Sequence, residues 1–361
     1  MKIVIDKNIP FIKGVFEPFA EVVYLKGDEF SNVLIKDADA LIIRTRTKCN
    51  KELLYDTNVK FIATATIGTD HIDLNYCKHS GIIVENAAGC NAGGVMQYVF
   101  TALYALAEKK NLEIPSVLGI IGVGNVGSKV AELGELLGFE VLRCDPLKER
   151  EQTLAFNRGE LKLEEFKDYY SLDYLLENSD IITMHTWLDD TTKNMANKEF
   201  FKKIKDGAIF INASRGEVVE DEALLENIAR FNGVIIDVWN NEPDINQELL
   251  KKCDIATPHI AGYSYEGKLN GTSMSVVAVA KFFHIKELEQ FSAVPESPNN
   301  NYLCLDSTNI RDINKQLVEF FPIFEDDSAL KENPQSFEYL RSNYKYRREF
   351  YVNSTTKTTN C

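Results

Sequence analysis

Positive charge is in short supply: 40 Lys and Arg face 54 Asp and Glu, a net charge of −14 over 361 residues. So acidic a chain does not hold a phosphate backbone by bulk charge, and no nucleic-acid partner is expected. Histidine is scarce, with five residues, and no metal is expected. The seven cysteines (Cys49, Cys77, Cys90, Cys144, Cys253, Cys304 and Cys361) contain no C-x-x-C pair. Neither a zinc site nor a disulfide framework is expected, and the compartment is read as reducing. A membrane-length apolar run is also missing. The longest uncharged stretch, Asn86 to Ala107, is broken by Asn91, Gly93, Gly94 and Gln97. Apart from Gln97, only Val95 to Ala107 stays apolar, short of the roughly 20 residues a span needs. A buried helix is expected there, and no membrane partner. The N-terminus, MKIVIDK, carries charges where a signal peptide has its apolar stretch, so it reads as a first strand of a cytoplasmic protein.

What is present is ordinary globular material, 45% hydrophobic and 26% charged, long enough for two or three domains. Short apolar runs alternate with helix-like stretches: KIVID (2–6), EVVYL (21–25), ALIIR (40–44), KFIAT (60–64) and GIIVEN (81–86). A second series follows with VLGIIG (117–122), FEVLRCD (139–145), DIITMH (180–185), AIFINAS (208–214) and GVIIDVW (233–239). Such alternation predicts two α/β domains with parallel sheets. The near-continuous apolar character of IIVEN, LGIIG and VIIDV is that of strands covered on both faces. AVPESPNNNY (293–302) reads as a linker, and the aromatics of 317–352 as a small satellite core. The closing STTKTTNC is read as frayed.

Gly122, Gly124 and Gly127, with Asn125 and Val126 between them, form a G-x-G-x-x-G that follows a strand and opens a helix-like stretch. The first glycine permits a tight turn, the second lets a pyrophosphate approach the helix N-terminus, and the third lets the helix lie close on the sheet. Asp145 ends the next strand, where a carboxylate accepts from ribose hydroxyls and repels a 2′-phosphate. The pattern therefore predicts NAD. Downstream, Arg215, Glu242 and His259 each follow an apolar run, at the carboxyl ends where open α/β sheets bind ligands. They supply a guanidinium for an anion, a carboxylate to orient a base, and a base that titrates near neutrality.

GTDHID (68–73), INASRGEVV (211–219), DVWNNEP (237–243) and TPHIAG (257–262), behind this glycine motif, resemble the D-isomer-specific 2-hydroxyacid dehydrogenase family. The resemblance implies an α/β fold of two Rossmann-like doubly wound parallel-sheet domains, the cofactor domain inserted into the substrate domain, plus a small α+β C-terminal dimerisation domain that most relatives lack. The boundaries expected are 1–95 with 264–290 for substrate, 96–263 for NAD, and 291–361 for the homodimer contact. It further implies His259 as general acid/base, Glu242 as its partner and Arg215 on the substrate carboxylate. Asp237 is placed on the nicotinamide carboxamide, Thr186, Ala213, Ser214 and Arg215 along the cofactor, Gly262 beside it, and Thr45, Thr66 and Tyr263 facing the substrate. The activity implied is NAD-dependent oxidation of a small phosphorylated 2-hydroxy acid. For the phosphate, Arg44, Arg46 and Lys48 in RTRTK are expected, helped by Arg347 or Arg348 from a partner chain. Siblings acting on 3-phosphoglycerate, glycerate or hydroxypyruvate, and dinucleotide-sensing corepressors of the same fold, are the rival readings. Glu149 to Tyr170 is a longer, charged stretch than relatives have, expected to lengthen a loop after Asp145.

Overall fold

The computed structural model describes residues 1–114, 116–305 and 310–353; STTKTTNC lies outside them. Contacts divide the chain into two compact units, Met1–Asn91 with Ser264–Asn299, and Ala92–Tyr263 with the residues from Asn300 onward.

The first unit is built on β1 (Lys2–Asp6), β2 (Glu21–Leu25), β3 (Ala40–Ile43), β4 (Phe61–Thr64) and β5 (Ile83–Asn86), all parallel in the order β2-β1-β3-β4-β5. Side chains alternate across the sheet. Ile3, Ile5, Ile42 and Phe61 meet Val276, Val279 and Ala280 of the helix Tyr265–Phe283, while Val4, Leu41, Ile43 and Ile62 meet Ile35, Leu54 and Cys77 on the other face. IIVEN departs from the expectation of double cover: β5 is an edge strand and Ile83 is 47% exposed. An apolar run alone does not distinguish an edge from a centre.

The second unit carries β6 (Val117–Ile121), β7 (Glu140–Cys144), β8 (Ile181–Met184), β9 (Ile209–Asn212), β10 (Gly233–Ile236) and β11 (Ile255–Ala256) in a parallel sheet ordered β11-β10-β9-β8-β6-β7. Every residue of β8, β9 and β10 is buried, as both-face cover requires. The strand order reverses at β6, between β7 and β8, and such switch points open a crevice at the carboxyl ends of the strands. The helix Ala92–Lys110, where the uncharged run predicted a buried helix, places Tyr98, Phe100 and Leu103 against Ile120, Ile181 and Ile211. Burying one such large side chain stabilises the fold by about 1.5–3 kcal/mol.

Residues from Asn300 onward form a parallel pair, β12 (Tyr302–Cys304) and β13 (Tyr351–Asn353), and the helices Ile310–Phe320, Ile323–Glu332 and Phe337–Ser342. Their aromatics do not make a satellite core. Leu317, Phe321 and Phe350 join the cluster of the helix Ala92–Lys110, with the Tyr98 and Phe321 rings 6.1 Å apart. Too few apolar groups lie in 60 residues to close a core of their own, so they complete a larger one. The stretch from Glu149 is likewise not a lengthened loop at its start: Pro146–Asn157 is a helix, with Pro in its first turn and Asp145 accepting from the Lys148 N–H at 3.0 Å. No helix among the described residues is long and apolar enough to cross a membrane.

Candidate active site

The glycine turn sits at the switch point of the second sheet. Gly122 has φ +85, and a Cβ there would lie 2.8 Å from the His185 carbonyl carbon and 2.9 Å from the Thr186 nitrogen. The turn therefore rests directly on the carboxyl end of β8. A Cβ on Gly127 would stand 2.0 Å from the Gly122 oxygen, so only glycine lets the helix Asn125–Leu136 start here. Gly124, by contrast, faces open space, with nothing within 4 Å of a built Cβ. No side chain caps this helix, leaving its first N–H groups for an anion. Asp145 accepts from the Val123 N–H at 2.8 Å, tying the end of β7 to the turn. The buried Thr186 hydroxyl and His185 Nδ1 have no protein partner. A glycine cradle with orphaned polar groups fits a dinucleotide. His185 was not singled out in the sequence. Burial pushes its imidazole down to about 3, so it faces this crevice as a neutral ring.

Arg215, Glu242 and His259 follow β9, β10 and β11, three neighbouring strands. The Arg215 turn is locked by Asn212, whose Oδ1 accepts from the Ser214 N–H and hydroxyl at 3.1 and 2.8 Å, and whose Nδ2 donates to the Arg215 oxygen at 3.0 Å. Ala213 is half-buried beside it. A Cβ on Gly216 would fall 2.0 Å from the Trp239 carbonyl carbon. The Arg215 turn and the segment that carries Glu242 are thus in backbone contact.

His259 Nδ1 lies 3.0 and 2.8 Å from the two Glu242 oxygens. A carboxylate there selects the Nδ1–H tautomer and leaves Nε2 free to accept a proton. Burial alone would push the Glu242 carboxyl up. The opposing pull of His259, of the Arg341 cation and of the Trp239 N–H at 3.0 Å outweighs it and holds the group below the usual carboxylate range. His259 has φ +57, a conformation that costs a non-glycine residue on the order of 1–3 kcal/mol and collects at functional sites. Asp237 maintains it. Its backbone oxygen accepts from the His259 N–H, and its buried carboxylate accepts from Thr257, Ile260 and Ala261 at 2.7 to 2.9 Å. Burial pushes that carboxyl up against those donors.

Tyr263 follows the half-buried Gly262, and its ring meets Tyr344 and Tyr346 edge-on at 6.1 and 6.2 Å. Arg341 places Nη1 3.4 Å from Glu242 Oε2. Neither Arg341 nor these two tyrosines was singled out in the sequence; the one signal available was their place in LRSNYKYRREF. Arg347, expected at a partner's phosphate, has another place. It is buried, donates to the oxygens of Ile260 (3.0 Å), Tyr263 (3.3 Å), Gly94 (2.8 Å) and Ala261, and lies over the Phe321 ring at 4.1 Å. All four Nη–H donors are engaged in its own chain, and only the buried Nε–H is left without a partner. Arg348 is next to it, and its oxygen accepts from Gln97 at 3.3 Å.

The remaining residues belong to the first unit. Arg44 follows β3 and donates to the Asn8 oxygen at 3.2 Å, while Thr45 is exposed. Arg46 and Lys48 line an open hollow of about 400 Å³ with Gly27 and Asn50. The Thr66 hydroxyl is 2.6 Å from that of Thr64, beyond the end of β4. No cluster of metal-ligating side chains occurs among the described residues.

Residues 108–261 match the model of the D-isomer specific 2-hydroxyacid dehydrogenase NAD binding domain. Solved structures agree. A cofactor (NAD+) bound 3-phosphoglycerate dehydrogenase of Entamoeba histolytica superimposes with TM-score 0.64 at 26% identity, over 82% of this chain and 99% of that one. D-Lactate dehydrogenase of Aquifex aeolicus, complexed with NAD and lactic acid, gives TM-score 0.59 at 25% identity, over 83% and 100%. Fold and cradle together define an NAD-dependent oxidoreductase of the D-isomer-specific 2-hydroxyacid dehydrogenase class. An erythronate-4-phosphate dehydrogenase of Bacteroides fragilis is 44% identical over 358 residues, 97% of each chain, and one of Escherichia coli is 38% identical over 361, covering 97% of this chain and 92% of that. The chain belongs to the erythronate-4-phosphate dehydrogenase family.

Proposed function

We propose that this protein oxidises 4-phospho-D-erythronate at C2 to (R)-3-hydroxy-2-oxo-4-phosphooxybutanoate, a cytoplasmic step of vitamin B6 synthesis. The observation that carries the chemistry is the Glu242–His259 pair, 2.8 Å apart with Nε2 unengaged by the carboxylate. Nε2 takes the C2 hydroxyl proton, and Glu242 stabilises the imidazolium that results. Arg215 holds the substrate carboxylate through its planar fork. Bound NAD supplies the hydride acceptor. Gly122, Gly124, Asn125, Val126, Gly127 and Asp145 would hold its pyrophosphate and ribose, with Thr186, Ala213, Ser214, Asp237 and Gly262 along it. Thr45, Thr66 and Tyr263 are assigned to the substrate, and Arg44, Arg46 and Lys48 to its phosphate.

The test is a panel of 2-hydroxy acids offered with NAD while NADH fluorescence is followed. The kcat/KM for 4-phospho-D-erythronate should exceed that for unphosphorylated D-erythronate about tenfold or more, because the charge-assisted bonds of Arg44, Arg46 and Lys48 to the phosphate are lost in the latter. A preference for 3-phosphoglycerate would assign the chain to a sibling activity. Peptide capture without turnover would favour a dinucleotide-sensing binding protein.

The residues from Asn300 onward are proposed to join two copies. Tyr302, Tyr339, Tyr346 and Tyr351 are 37 to 69% exposed there, a density of aromatics that suits an interface. Sedimentation should give twice the chain mass of 40.9 kDa, and a single-chain mass at micromolar protein would dismiss the dimer.

A further inference from the structure

Each Glu242 oxygen has two donors. Oε1 receives the Trp239 N–H at 3.0 Å and lies 3.0 Å from His259 Nδ1, while Oε2 lies 2.8 Å from Nδ1 and 3.4 Å from Arg341 Nη1. His259 Nδ1 is shared between the two oxygens, so there are three donors in all, and the third comes from the helix Phe337–Ser342, 99 residues further along the chain. Arg341 is held in turn by the Tyr263 hydroxyl and lies near Glu338. Its side chain is 26% exposed, so little water screens the pair. We propose that Arg341 is a positioning residue of the acid–base pair: its guanidinium fixes the Glu242 carboxylate against His259 and sets the pH range in which His259 accepts the substrate proton.

A lone carboxylate against an imidazole favours its charged form. A permanent cation on the other side of the same oxygen offsets part of that pull without displacing the hydrogen bond. An arginine suits the task because it stays charged and its planar fork restricts the carboxylate to one orientation. Glu338 lies near Arg341 on the same helix. Asp237 lies behind His259, and Glu242 itself is flanked by His259 and Arg341.

The inference rests on His259 being the base, and two readouts separate its failure from failure of that reading. The first is the pH profile of kcat/KM for Arg341→Met and Arg341→Lys. Loss of the cation should move the acid-limb midpoint up by about one pH unit, lowering kcat/KM about tenfold below the midpoint, with NADH affinity held within about twofold. The lysine variant should recover at least half of the shift. The second readout needs no turnover: the His259 imidazole resonance in ¹³C-histidine-labelled holoenzyme, assigned by its absence in His259→Asn, should titrate about one unit higher in Arg341→Met. An unchanged NMR midpoint, or a lysine variant displaced as far as the methionine one, overturns the proposal. A shifted NMR midpoint in a protein that oxidises no hydroxy acid supports it and discards the substrate assignment instead.

Discussion

Replacing His259 with Asn should lower kcat for oxidation by about 10²–10⁴-fold, the range general-base catalysis contributes, while the dissociation constant for NADH stays within about threefold. The asparagine side chain can still donate to Glu242 where Nδ1 does now, at 2.8 to 3.0 Å, and it tolerates the left-handed conformation that φ +57 imposes. The loop therefore keeps its shape and loses only the proton acceptor. Stopped-flow measurement of the hydride step, with NADH titration alongside, separates the two quantities. Turnover within tenfold of the parent would remove His259 from the proton path.

A second large effect is expected at the glycine turn, where two substitutions should behave differently. Gly127→Ala puts a methyl group 2.0 Å from the Gly122 oxygen, so the helix Asn125–Leu136 must lift from β6. The expected cost is about 1–3 kcal/mol of stability, together with about a hundredfold weaker NADH binding. Gly124→Ala meets nothing within 4 Å, so its melting temperature should match the parent. Its methyl group would stand where the pyrophosphate must approach, and NADH affinity should fall as far. Thermal melts and NADH titration of both proteins check this. If Gly124→Ala binds NADH normally, the cofactor does not lie over this turn.

The strands of the second sheet were legible because a parallel strand covered on both faces is a contiguous apolar run, and IITM and GVII can be little else. The two-residue β11 and the pair β12 and β13 were not, since so short a run carries no period. Edge and centre were likewise indistinguishable, which is why Ile83 lies more open than its sequence implies. In the site, Glu242 and His259 could be paired in advance because each ends an apolar run and strand ends gather on one side of the sheet. Arg341 could not. Nothing periodic links it to a carboxylate 99 residues earlier, and a charged residue on a short helix ordinarily faces water. The housing of Arg347 was equally illegible: a double arginine reads as a solvated or ligand-seeking cation, whereas carbonyl oxygens and an aromatic ring surround this guanidinium in its own chain.

That housing has a consequence for how the enzyme is made. The oxygens of Ile260 and Tyr263, just past His259, are gripped by a side chain 87 and 84 positions later in the chain. All six strands of the β6–β11 sheet are made before that clasp leaves the ribosome, but Leu317, Phe321 and Asp327, which complete its core and its β11 edge, are made only a little ahead of the clasp. The turn that carries His259 thus gains its buttress only after the strands on either side of it already exist.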